Sequence, residues 1–148
     1  MMSTIHATSI KLGNTGCLIR GPSGSGKSLL ALELLGRAGE NAALIADDQT
    51  TLMVENNKLI ATCPPALKGK IELYGRGIIE WPIVERHQID LVIDLVDTIE
   101  RMPPETSFNC VINDIALRRI PVPNHALTDL AHQHMLVQAE LLFSQPQK

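Results

Sequence analysis

A chain of 148 residues, 45% of them hydrophobic, has the size of one domain with a real core. Its four aromatics, Tyr74, Trp81, Phe108 and Phe143, leave that core to aliphatic side chains. A formal charge of −3 argues against the basic face that a nucleic-acid partner needs, and no apolar run approaches the ~18 residues of a membrane span. Cys17, Cys63 and Cys110 are odd in number and contain no C-x-x-C, the pattern of reduced thiols in a cytosolic protein. The N-terminus has no charged-then-apolar signal pattern, so a cytoplasmic location is expected.

Residues 5–12 alternate apolar and polar and read as a strand, and residues 13–16 as a turn into a second strand over 16–20. There follows Gly21-Pro22-Ser23-Gly24-Ser25-Gly26-Lys27-Ser28, a complete G-x-x-x-x-G-K-S phosphate-binding loop. Its glycines let backbone N–H groups curl toward phosphate oxygens, Lys27 reaches the β/γ-phosphates, and the Ser28 hydroxyl is a Mg²⁺ ligand. Residues 28–35 are apolar almost all round, which predicts a well-buried helix ended by Gly36 and Gly39. The strand–loop–helix context separates this motif from a chance Gly/Ser-rich turn.

Residues 41–46 form a buried strand running into Asp47-Asp48. Ligands of open α/β sheets bind at that end of a strand, and two adjacent carboxylates there can divide labour, one toward metal and water, one as base on an acceptor hydroxyl. Residues 50–54 and 58–62 read as a hairpin, Pro64-Pro65 as a break, and 71–74 as a short strand in a glycine-punctuated stretch. Within it Glu72 and Arg76 carry charges suited to metal ligation and phosphoryl stabilisation, or to a surface ion pair.

Residues 89–97 are rich in β-branched residues and read as a strand, although the four-and-three spacing of Asp90, Asp94 and Asp97 also suits a helix. Those aspartates read as a solvated face, and Arg118-Arg119 as a solvated strand end. Residues 114–120 read as a late strand closed by Pro121 and Pro123, and 126–143 as a helix capped from the Pro123-Asn124 region. His87, His125, His132 and His134 show no metal-ligand spacing and read as surface or packing residues.

Four elements in order, His6 about fifteen residues before the loop, the G-x-S-G-x-G-K-S loop, Ala46-Asp47-Asp48 and E-x-x-G-x-G-I-I from Glu72, give the chain a resemblance to the C-terminal catalytic domain of HPr kinase/phosphorylase. The motifs cover residues 6 to about 80, with weaker similarity to about 125, in the short form without the family's N-terminal domain. The resemblance implies a single catalytic domain over residues 1–148 and an α/β fold similar to phosphoenolpyruvate carboxykinase, a sheet with flanking helices. It also implies an ATP- and Mg²⁺-dependent protein serine kinase acting on HPr or an HPr-like phosphocarrier, and a homo-oligomer, commonly a hexamer. Gly21 to Ser28 would bind the nucleotide phosphates, Ser28 and Glu72 would hold Mg²⁺, and Asp47 would act as general base, which leaves Asp48 on the metal side. His6, Lys27 and Arg101 would complete the active site.

Two departures qualify the match. The family's E-I-R-G-L-G is here Glu72-Leu73-Tyr74-Gly75-Arg76-Gly77, with the arginine displaced by two positions. The family's P-G-R-N-like loop, tied to phosphorolysis, corresponds to Pro121-Val122-Pro123-Asn124-His125, without Gly or Arg. Kinase activity is therefore implied more directly than phosphorylase activity. A small-molecule or nucleotide kinase and a non-catalytic nucleotide-binding module are the alternatives, the first disfavoured by the lack of an arginine-rich lid.

Overall fold

The computed structural model, which describes residues 2–143, breaks the expected first strand at His6 into β1 (Met2–Ile5) and β2 (Ala7–Leu12), which belong to different sheets. The chain continues through β3 (Thr15–Arg20), helix α1 (Lys27–Ala38), β4 (Ala42–Ala46), β5 (Thr50–Glu55) and β6 (Lys58–Thr62). Next come β7 (Lys70–Leu73), β8 (Gly77–Glu80), β9 (Arg86–Gln88) and β10 (Leu91–Val96). It ends with β11 (Asn109–Ile112), β12 (Ile115–Pro123) and helix α2 (Leu130–Phe143).

The central six-stranded sheet has the order β11-β12-β10-β3-β2-β4. β3, β10 and β12 are parallel, and β2 is antiparallel to both β3 and β4, so β4 runs with the parallel set. The C-terminal ends of β3, β4, β10 and β12 therefore share one edge, the edge at which α/β sheets bind ligands. A four-stranded antiparallel sheet, β1-β5-β6-β9, covers one face, and β7 and β8 form a separate hairpin.

Alternation along β3 builds both cores. Cys17 and Ile19 pack with Leu30, Leu34 and Leu35 of α1 and Val137 of α2, while Leu18 packs with Leu52, Leu59 and Val92 against the second sheet. Each such aliphatic side chain, removed from water, contributes about 2 kcal/mol. Both helices share one face of the central sheet, and the second sheet takes the other, a mixed α/β fold with a central sheet.

Several boundaries differ from the sequence reading. Gly36 lies inside α1, and Gly39, at φ 62°, is the residue that ends it. α2 starts at Leu130 rather than 126, because Asn124 closes a turn on the Leu127 and Thr128 N–H groups and the Asp129 carboxylate then accepts the His132 N–H at 2.9 Å. Pro121 and Pro123 lie within β12, beyond the stretch that pairs with β11, where their missing N–H groups are tolerated. Asn56 and Asn57, at φ 53° and 62°, make the β5–β6 turn, as two-residue hairpins require. β9 and β11 were not legible as strands.

Candidate active site

The phosphate-binding loop leaves the end of β3 and enters α1 at Lys27. A Cβ at Gly21 would lie 2.6 Å from Ser25 Oγ and 3.1 Å from Leu95 Cβ, so any larger residue there would displace the Ser25 side chain and crowd Leu95. α1 has no side-chain N-cap and no acidic residue in its first turn, so among the described residues no side chain caps the N–H groups at its start. Such a helix end is suited to an anion. Lys27 is buried and donates to Gly21 O (2.8 Å) and Pro22 O (3.2 Å). Burial lowers its pKa, against the attraction of Asp48 and Asp47.

Beneath the loop, Arg20 grips Asp94 through two hydrogen bonds of 2.8 Å. Arg119 donates to the same carboxylate at 2.6 Å and to Ser107 O at 2.7 Å. Burial pushes the Asp94 carboxyl up, but hydrogen bonds from Arg20 and Arg119 outweigh it and hold the group below the usual carboxylate range. Asp94 and Arg119 are thus an internal brace rather than the solvated residues expected, and Arg118 is likewise engaged, with Glu140 at 2.9 Å.

Asp47 is 8% exposed, and both of its oxygens are taken. Oδ1 accepts the Ser28 hydroxyl at 2.6 Å and the Thr8 hydroxyl at 2.8 Å, and Oδ2 accepts the Glu72 N–H at 3.2 Å. The sequence reading missed Thr8. Its hydroxyl also accepts the Asp48 N–H at 3.2 Å, so one fully buried side chain holds the Asp47 carboxylate and the Asp48 backbone. The available signal was a pair of hydroxyls, Thr8-Ser9, in a strand that is otherwise core, since buried hydroxyls need partners.

Asp48 is different. Its side chain is 62% exposed, its φ is 70°, and it meets His6 Nε2 at 2.7 Å. His6 and Asp48 sit in the bends where the chain passes between the two sheets, from β1 to β2 and from β4 to β5.

The remaining expected residues divide. β7 brings the Glu72 backbone to Asp47, but its side chain is exposed, and among the described residues no three His, Cys, Asp or Glu side chains converge on a metal position. Arg101 lies in the connection after β10 and lines a cavity of about 380 Å³ with Arg118, Pro121, His132 and Glu140. No hydrogen bond among the described residues ties it to the Asp47–Ser28 cluster. His125, read as a surface or packing residue, is exposed and packs on the loop, its Nε2 lying 2.7 Å from Gly24 O.

The family model for the HPr serine kinase C-terminal domain matches residues 1–132. The HPr kinase/phosphorylase of Nitrosomonas europaea is 31% identical over 143 residues, 86% of this chain and 43% of that protein. That of Clostridium novyi is 33% identical over 132 residues, 84% of this chain and 41% of that protein. This chain therefore spans under half the length of these curated relatives. The solved structure of the HPr(Ser) kinase/phosphatase from Coxiella burnetii superposes with a TM-score of 0.76 at 32% identity, over 97% of this chain and 99% of that one.

Proposed function

Since the chain belongs to the HPr serine kinase C-terminal domain family, we propose that it binds Mg·ATP at Gly21–Ser28 and phosphorylates a serine of HPr or an HPr-like carrier. The observation that carries this reading is the contact of Ser28 with Asp47 at the start of an uncapped helix, one residue from the exposed His6–Asp48 pair. A phosphate cradle and a proton acceptor then lie side by side.

The oxygens present fit Mg²⁺. Ser28 Oγ and Asp47 Oδ1 are hard donors in contact, and Mg²⁺ takes one or two carboxylates together with substrate phosphates. Bound there, the ion would neutralise charge on the β- and γ-phosphates. Ser28 and Asp47 would hold it, and Glu72, whose N–H reaches Asp47 Oδ2, is the further ligand that the resemblance implies.

The two aspartates exchange the roles expected from sequence. Asp47, buried and fully engaged, suits the metal side. Asp48 is open to an incoming hydroxyl and suits the base. It orients the acceptor serine and takes its proton late in transfer, as the new O–P bond forms and ADP departs with the electrons of the broken bond. His6 holds the Asp48 carboxylate in place, while Lys27 and the loop amides stabilise charge on the moving phosphoryl. With inorganic phosphate as acceptor of the phosphoryl group, Asp48 would return the proton to the leaving serine.

A protein acceptor is favoured over a small molecule by the β7–β8 hairpin. Tyr74 and Ile78 on it are 91% and 65% exposed, beside the strand whose Glu72 touches Asp47. The test is phosphate transfer from Mg·ATP to purified HPr, with the product located by mass spectrometry. Phosphoserine on HPr is expected. ATP binding without transfer would point to another acceptor or to a nucleotide-sensing module.

A further inference from the structure

We propose that His125 is a positioning residue of the phosphate-binding loop, pinning the Gly24–Ser25 peptide and, with it, the course of the loop into α1. His125 Nε2 lies 2.7 Å from Gly24 O, and because a carbonyl only accepts, this nitrogen carries the proton and donates it. The N–H of the same peptide unit, on Ser25, donates to Pro22 O at 3.1 Å. Both polar ends of one peptide are held. Gly24 and Gly26 flank it at φ 82° and 97°, and glycine offers little resistance to rotation. The ring also lies against Gly26, where a Cβ would come within 3.2 Å of the imidazole.

His125 is delivered by a tight turn. Asn124 N–H donates to Val96 O at 2.9 Å, and Asn124 Oδ1 accepts the Ala126 N–H at 2.9 Å. The turn follows β12 directly, so the parallel strands β10 and β12 carry the clamp to the loop that ends β3. Without the clamp, the peptide populates other orientations, and the apparent nucleotide Kd rises by the inverse of the competent fraction. Chemistry at saturation stays the same, because the bound loop is the same.

This inference rests on the reading of the loop as the nucleotide site, and the two can fail separately. The first measurement is amide hydrogen exchange in the nucleotide-free chain. His125→Ala is expected to speed exchange at the Ser25 amide, whose hydrogen bond to Pro22 O depends on the pinned peptide, by about tenfold while β10 and β12 keep their protection. The second is Mg·ATP binding and HPr phosphorylation. His125→Ala is expected to raise Kd and KM by roughly three- to tenfold with kcat within about twofold. His125→Gln, whose amide can donate to Gly24 O, is expected to restore most of both, and His125→Phe, a ring without the donor, neither. Unchanged loop exchange in His125→Ala, or a glutamine variant as impaired as alanine, would overturn the proposal. Faster loop exchange in a chain that binds no nucleotide would uphold it and overturn the proposed function instead.

Discussion

His6 and Asp48 meet at 2.7 Å in the two bends that carry the chain between its sheets. On one side Ile5 pairs with Thr50, and on the other Ser9 pairs with Ala46. Ala7 N–H donates to Asp48 O at 3.1 Å, so backbone and side chains both close the junction. Asp48 adopts φ 70°, a conformation that costs a non-glycine residue ~1–2 kcal/mol. The junction supports that cost and turns a carboxylate out to solvent.

Asp48→Asn should bind Mg·ATP normally and lose phosphoryl transfer by about 10²–10⁴-fold, the usual contribution of a positioned base. Binding by calorimetry and single-turnover transfer separate the two effects. Full transfer in this variant would remove Asp48 from the base role. His6→Ala should cost less, since the carboxylate remains and only its orientation is lost.

Asp47→Asn should behave differently. The amide still accepts a hydrogen bond at Oδ1, but its charge is gone. The Mg²⁺ concentration needed for half-maximal activity should rise by about tenfold or more, with the protein still folded. A Mg²⁺ titration of both aspartate variants gives the contrast, and an unshifted Asp47→Asn curve would reject its metal-side role.

Thr8→Val should link stability to the site. The substitution keeps shape and removes a buried hydroxyl that serves Asp47 Oδ1 and the Asp48 N–H. Oδ1 keeps the Ser28 hydroxyl, but it loses one of its two donors and the Asp48 N–H is left unpaired, which should cost about 1–3 kcal/mol in urea unfolding and shift the Mg²⁺ titration in the same direction as Asp47→Asn. Thr8→Ser should recover both. A loss of stability with an unchanged titration would make Thr8 purely structural.

The phosphate-binding loop and the aspartate pair were legible because their chemistry depends on local spacing: Gly21 to Ser28 and Asp47-Asp48 each lie in one short run. The strands next to them were legible for the same reason. What stayed hidden depends on topology. Thr8, Asp94 and His125 reach their partners across 39, 74 and 101 residues of chain, and periodicity carries no information at that range. The split at His6 was hidden too, because residues 2–12 keep an extended pattern while changing sheets. The different settings of Asp47, buried, and Asp48, exposed, were equally out of reach, since two adjacent aspartates read alike in sequence.

The Arg20–Asp94–Arg119 brace makes part of the fold's stability sensitive to acid. Asp94 titrates below its unfolded value of ~3.9, so its stabilisation is fully present above that value and is lost as pH falls through the folded pKa. Asp94→Asn should therefore be less stable than the wild type at pH 7, by about 2–3 kcal/mol, because Arg20 and Arg119 lose their carboxylate. The gap should narrow as pH falls below ~4, where the wild type protonates as well. Urea midpoints of the two proteins between pH 7 and pH 3 measure it. A gap constant with pH would mean that the carboxylate's charge contributes nothing to the brace. Because Arg20 immediately precedes Gly21, the variant should also weaken Mg·ATP binding at pH 7, as the strand feeding the phosphate-binding loop loses its anchor.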